Sequence, residues 1–307
     1  MSVPVNNTKS TEVDVRGGRL PVWAQPGEPP TLVFLHIWGG SHRTFAPVIA
    51  RLASGCAVVS YDHRGWGAAR DLPGPYGISE LADDALAVIA GLGLGRYVLV
   101  GHSMGGKVAQ LAASRRPEGL AALALIAPAP PRPAFDAKAA EALTHAFDSR
   151  ETVSDALEHM LTAQPLPPDL REQMINDGLA GNREAQLAWP LGGITMDITA
   201  ATRAIEVPVH VLAGRQDRVD PPQSLEANLL PFIPGARMTV LEGTGHVSPL
   251  EVPELIAKEL DQLTKLIHRG GEIFLAEDLH RDLHPPADPE CGSKDISTEE
   301  DGRKTHD

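Results

Sequence analysis

The stretch Val98-Leu99-Val100-Gly101-His102-Ser103-Met104-Gly105-Gly106-Lys107-Val108-Ala109 holds the residues best suited to chemistry. Its apolar run reads as a buried strand, and a helix-forming run over residues 106–114 follows at once. Ser103 stands at the tip of the reversal. A Gly-x-Ser-x-Gly turn between strand and helix is the nucleophile-elbow pattern, which presents a serine hydroxyl for covalent catalysis. The turn leaves room only for very small neighbours, which Gly101 and Gly105 provide. The helix behind the serine offers free N–H groups and the positive end of its dipole, so negative charge is favoured there.

The elements that must position this serine alternate along the chain. Residues 13–15 and 20–23 flank Gly17-Gly18 and suggest an opening hairpin. Short apolar runs at residues 31–35, 57–60, 98–100, 120–126, 207–213 and 237–241 read as strands. Between them, residues 44–53 and 78–92 read as helices, the second with Ser79 as N-cap. Such alternation predicts an α/β fold, a mostly parallel doubly wound sheet covered on both faces. Ligands of such sheets sit outside the carboxyl ends of the strands. One segment breaks the pattern. After Ala127-Pro128-Ala129-Pro130-Pro131, helices are expected near residues 135–147, 153–163, 169–179, 183–187 and 198–204, with no strand among them. This reads as an inserted helical cap that excludes water and shapes a pocket. The expected organisation is a core over residues 1–128, the cap over 129–205, and the rest of the core over 206–269. Met160, Met174, Trp189, Leu191, Ile194 and Met196 either line the pocket or pack the cap on the body.

Two further turns follow strand-like runs in chain order: Gly214-Arg215-Gln216-Asp217-Arg218-Val219-Asp220-Pro221, then Glu242-Gly243-Thr244-Gly245-His246-Val247-Ser248-Pro249. With the elbow ahead of them, this order resembles the α/β-hydrolase family over roughly residues 13–267. The resemblance implies the α/β-hydrolase fold and a triad of Ser103 as nucleophile, Asp217 as acid and His246 as base, with Asp220 the alternative acid. It also implies an oxyanion hole made by the backbone N–H groups of Met104 and Trp38. The loop His36-Ile37-Trp38-Gly39 departs from the family's His-Gly-x-Gly at Ile37. A β-branched residue there would be costly if that position needed positive φ. The segment Asp62-His63-Arg64-Gly65-Trp66-Gly67 resembles the family's architectural Asp-x-Arg-Gly-x-Gly loop. His36, His63, His102 and His210 are expected in structural roles, and Lys107 on a surface.

Composition narrows the function. The net charge of −13 argues against a nucleic-acid partner. Residues 270–307 carry eleven Asp/Glu against four Lys/Arg with several prolines, which reads as an acidic, disordered tail. No apolar run is long enough to span a membrane, and the polar start lacks a signal-peptide core. Cys56 and Cys291 stand far apart, which suits thiols in a reducing, cytoplasmic setting. No Gly-x-Gly-x-x-Gly fingerprint follows the first strand of the sheet, and no Cys/His spacing reads as a zinc site, so no cofactor and no metal are expected. The expected partner is a small-molecule acyl substrate. The expected reaction is hydrolysis of a carboxylic ester or lactone through an acyl-enzyme. Cofactor-free perhydrolysis, carbon–carbon bond hydrolysis and a ligand-binding receptor on the same scaffold are the alternatives.

Overall fold

The computed structural model describes residues 9–53 and 55–268; the expected acidic tail and Cys291 lie outside them. Among the described residues eight strands form one sheet in the order β1-β2-β4-β3-β5-β6-β7-β8. They are β1 (Lys9–Val15), β2 (Gly18–Gln25), β3 (Glu28–Leu35), β4 (Cys56–Tyr61), β5 (Tyr97–His102), β6 (Leu120–Ile126), β7 (Val209–Gly214) and β8 (Arg237–Leu241). The hairpin β1–β2 pairs antiparallel, as does β2 with β4; every later pairing is parallel. The central strands are apolar without alternation because helices cover both faces. Tyr97, Val98, Leu99 and Val100 of β5 are all buried. The crossover order β4-β3-β5 puts the ends of β3 and β5 side by side, with Leu35 opposite Gly101. The loop after β3 therefore arrives beside the elbow.

The helix Ile78–Gly91 packs Leu81, Ala82, Ala85 and Val88 into the core. Its N-cap is Gly77 in an extended conformation, not the expected Ser79, which lies inside the first turn. The helical conformation begins immediately ahead of that serine, at Ile78, directly after the extended Gly77. The same helix carries Asp84, whose carboxylate takes Arg64 Nε at 2.6 Å. Both side chains are almost wholly buried, at 2% and 1% exposed. Arg64 also reaches the carbonyls of Pro73 and Arg16. The Asp62 carboxylate takes the His42 ring at 2.9 Å and the Ala68 N–H at 2.8 Å. The loop 62–67 is thus architectural.

Between β6 and β7 the chain is helical, without a strand. Its elements differ in detail from the expected run. Residues 137–145 form a short helix, Ala137–Ala142, ending in a 3-10 turn, Leu143–His145. The next helix, Arg150–Ala156, starts earlier than expected because Ser149 and Thr152 form a capping box. It loosens into a π turn at Leu157–Leu161. Pro168–Leu179 and Arg183–Ala188 follow, and a second π turn, Trp189–Gly193, carries Trp189.

Removing one partner of a buried ion pair strands the other charge and costs about 3–5 kcal/mol. Asp84→Ala is therefore expected to lower unfolding free energy by about that amount in urea denaturation. A loss below about 1 kcal/mol would show that Arg64 finds its bonds elsewhere.

Candidate active site

The elbow is built by close approach. Ser103 has φ +54° and ψ −116°, a strained conformation for a residue with a side chain. Its N–H donates to Ile126 O at 3.1 Å, and its carbonyl accepts from Gly106 and Ala129. A Cβ on Gly105 would stand 2.2 Å from Leu35 O, and one on Gly101 2.5 Å from Gly105 O. Neither position tolerates a side chain without moving backbone, which is the physical content of the two glycines.

Ser103 Oγ lies 2.8 Å from His246 Nε2, and His246 Nδ1 lies 2.8 Å from Asp217 Oδ2. All three side chains are buried. Asp217 Oδ1 accepts from the N–H groups of Val219 and Asp220 at 2.8 and 3.0 Å. Burial opposes the Asp217 charge, but the His246 ring and these N–H donors outweigh it and hold the carboxyl below its usual range. Burial pulls the His246 imidazole down; the Asp217 carboxylate, helped by Asp220 and Glu251, more than reverses this, so it lies above the ordinary histidine value. Asp217, not Asp220, is the carboxylate hydrogen-bonded to the histidine.

The histidine loop is held from the helical insertion. His246 N and Val247 N donate to Leu161 O at 2.8 and 3.1 Å. Glu251 accepts from Gly245 N at 3.1 Å and from Ala163 N at 2.8 Å. On the other side, His102 Nε2 meets His246 O at 2.8 Å. Since the carbonyl only accepts, His102 donates from Nε2. Burial keeps its ring neutral, with the pKa pushed down to about 3. His102 bonds as a structural residue should, but its support of the histidine, like that of Glu251 and Leu161, carries no motif in the sequence.

Met104 opens the helix Met104–Ser114, and among the described residues its N–H donates to nothing outside that helix. The Trp38 N–H likewise donates to no backbone group there. The left-handed φ of that loop falls on Gly39, at +78°, while Ile37 is not among the positive-φ residues. The departure at Ile37 therefore costs no backbone strain. The Trp38 indole donates to Gln186 O at 3.1 Å and packs edge-on against Phe147. His36 bridges Ile37 O and the His63 N–H, and His210 meets Thr239 Oγ1, as structural histidines do. Lys107 is not on a surface: it is 1% exposed, with Nζ 3.4 Å from Ile194 O. The helical insertion covers the helix there, bringing Ile194 O to the ammonium, and burial draws that group down to about 8.

Above Ser103 and His246 lies a cavity of about 210 Å³. Trp38, Phe147, Leu157, Met160, Met174 and Trp189 form much of an apolar wall, with Ile194 beyond them. Of the expected insertion residues, Leu191 is instead 67% exposed and Met196 packs against the main core. The lining residues Leu157, Met160 and Leu161 come from one π turn and Trp189 from the other, an irregularity that suits functional sites. The polar groups at the wall are Ser103, His246, Arg218 and Asp220. Among the described residues no group of three or more His, Cys, Asp or Glu is placed to hold a metal ion, and no helix is long and apolar enough to cross a membrane.

A family model, Alpha/beta hydrolase family, matches residues 32–259. The chain is 29% identical over 245 residues to the protein named "Putative carbamate hydrolase RutD" of Pseudomonas savastanoi pv. phaseolicola, covering 75% of this chain and 91% of that one. It is 27% identical over 252 residues to "Bifunctional esterase/perhydrolase DCH" of Acinetobacter calcoaceticus, covering 76% and 91%. Among solved structures, an esterase from Exiguobacterium antarcticum superposes with a TM-score of 0.76 at 22% identity, covering 84% of this chain and 100% of that one.

Gly105→Ala is expected to destabilise the fold by about 2 kcal/mol or more, because backbone must move to admit the methyl group. Thermal denaturation measures this. An unchanged melting temperature would mean that the helix and β3 stand further apart than 2.2 Å allows for a Cβ.

Proposed function

The chain belongs to the alpha/beta hydrolase family, and from that membership we propose that it hydrolyses a carboxylic ester or lactone through an acyl-enzyme. The observation that carries the reading is the continuous relay Ser103–His246–Asp217, with both links at 2.8 Å, beneath an apolar cavity. Ser103 Oγ attacks the carbonyl carbon while His246 Nε2 takes its proton. The N–H groups of Met104 and Trp38 donate to the oxygen that becomes negative. The C–O bond to the alcohol then breaks, and His246 returns the proton to the departing oxygen. Water, deprotonated by His246, attacks the acyl carbon and releases the acid. Asp217 holds the imidazole in one tautomer and stabilises its charged form.

The named activities of the Acinetobacter relative favour one second reading, perhydrolysis, in which peroxide replaces water on the acyl-enzyme. Peroxide-dependent bromination in acetate would be its mark; ester turnover without it leaves hydrolysis.

Ser103→Ala is expected to lose turnover of an aryl ester by a factor on the order of 10⁴ or more, since triad members act as a unit. Its melting temperature should stay within a few degrees of wild type. Fluorophosphonate labelling should map to Ser103. Full turnover by a folded Ser103→Ala protein would end the proposal.

The pH profile on a neutral ester should rise once and then level off. Only neutral His246 can accept the serine proton, so activity falls as pH drops below its pKa. Because that pKa lies above the ordinary value of about 6.5, the midpoint should fall above it too. Asp217→Asn should lose activity across the whole range, because the amide can hold the wrong tautomer. A midpoint well below 6.5 would show burial outweighing the carboxylate.

A further inference from the structure

Asp220 is not explained by the proposed reaction. It is 2% exposed, yet it lines the cavity that holds Ser103 and His246. Its backbone N–H is committed to Asp217 Oδ1. Its carboxyl Oδ1 is buried without a hydrogen-bond partner, and among the described residues the carboxyl joins no ion pair. A buried polar group left unpaired is costly and rare, and its persistence at a cavity wall points to a partner that arrives with the ligand.

We infer that Asp220 is a specificity-determining residue that receives a hydroxyl group, so that the preferred substrate is an apolar ester or lactone bearing a hydroxyl. This rests on the ester-cleaving reading above. The choice of hydroxyl follows from the surroundings. Burial, with Asp217 close by, pushes the Asp220 carboxyl up to about 7, against the opposing pull of His246 and Lys107. Near neutrality it is present both as acid and as carboxylate. A hydroxyl both donates and accepts, so it pairs with either form. A carbonyl pairs only with the acid. An ammonium would share the cavity with the Arg218 cation. A substrate carboxylate only accepts, so it pairs only with the acid. The rest of the group must be apolar to match the wall. The cavity, about 210 Å³, exceeds the ~150 Å³ that holds a benzene molecule. A ring or short chain with one hydroxyl fits it.

Sites built to hydrogen-bond a hydroxyl reject the analogue that lacks it far better than apolar pockets reject an added one. The test is a ratio. Methyl hexanoate is compared with its 2-, 3- and 6-hydroxy analogues, and methyl 3-phenylpropionate with its three ring-hydroxylated analogues, by acid release at constant pH. In wild type at least one hydroxy ester should exceed its parent in kcat/KM by about tenfold or more, the size of a hydrogen bond to an ionisable group. Asp220→Leu should bring that ratio to about one or below, and Asp220→Asn should keep part of it. Melting temperatures confirm that both variants fold. No hydroxy preference in wild type, or one that survives Asp220→Leu, overturns the inference. So does a loss in Asp220→Leu that strikes both esters of a pair alike and moves the pH midpoint, which would make Asp220 a positioning residue for His246. Parent esters cleaved with a ratio near one sink this inference alone, whereas no cleavage of any ester sinks the ester reading. In that second case the ratio is read as Kd for the same ester pairs on Ser103→Ala, with equal affinities overturning the hydroxyl assignment.

Discussion

Everything at the site depends on how closely the helix Met104–Ser114 approaches the end of β3. The Gly105 Cα sits so near Leu35 O that a Cβ would come within 2.2 Å of it. That approach forces the reversal at Ser103 and holds its backbone at φ +54°. It also brings the Trp38 loop beside the elbow, because β3 and β5 pair in register up to Leu35 and Gly101. The strain at Ser103 persists because four backbone hydrogen bonds over-determine it, one from its N–H to Ile126 O and three to its carbonyl from Gly106, Lys107 and Ala129. A looser contact would leave a serine on an ordinary turn.

The helical insertion does more than roof the cavity. Leu161 accepts from both His246 and Val247, and Glu251 joins the histidine loop to Ala163. The imidazole is thus clamped between the insertion and His102 of β5. Movement of the π turn Leu157–Leu161 would be felt at the histidine directly. The same turn supplies the cavity wall at Leu157, Met160 and Leu161, so the element that lines the cavity also holds the histidine loop.

The buried charges divide into two kinds. Arg64 and Asp84 satisfy each other and serve the fold. Asp217 is satisfied by His246 and two N–H groups. Asp220, three residues on, has a carboxyl without such partners. Two aspartates in one turn, both buried, differ because the first faces the imidazole and the second faces the cavity.

Local sequence determined a good deal. The alternation of apolar runs and helices gave away the parallel sheet, since strands covered on both faces must be apolar throughout. The elbow, the acid turn and the histidine turn were legible because each needs glycine or aspartate at set spacings within a few residues. Chain order could not choose between Asp217 and Asp220, as residue type is the same and only direction differs. Nor could it reveal that Ser79 lies inside its helix, or that Lys107 is buried, which depends on what packs against the helix. Ile37 looked like a costly departure until the loop placed its positive φ on Gly39. The roles of Glu251, Leu161 and His102 were invisible for a simpler reason. They act through hydrogen bonds between residues far apart in sequence, and a carbonyl such as that of Leu161 has no residue type at all. Periodicity and turn chemistry are local and can be read along a chain. Which buried carboxylate meets the imidazole, and which lies at the cavity wall, is decided only when the strands bring distant turns to one end of the sheet.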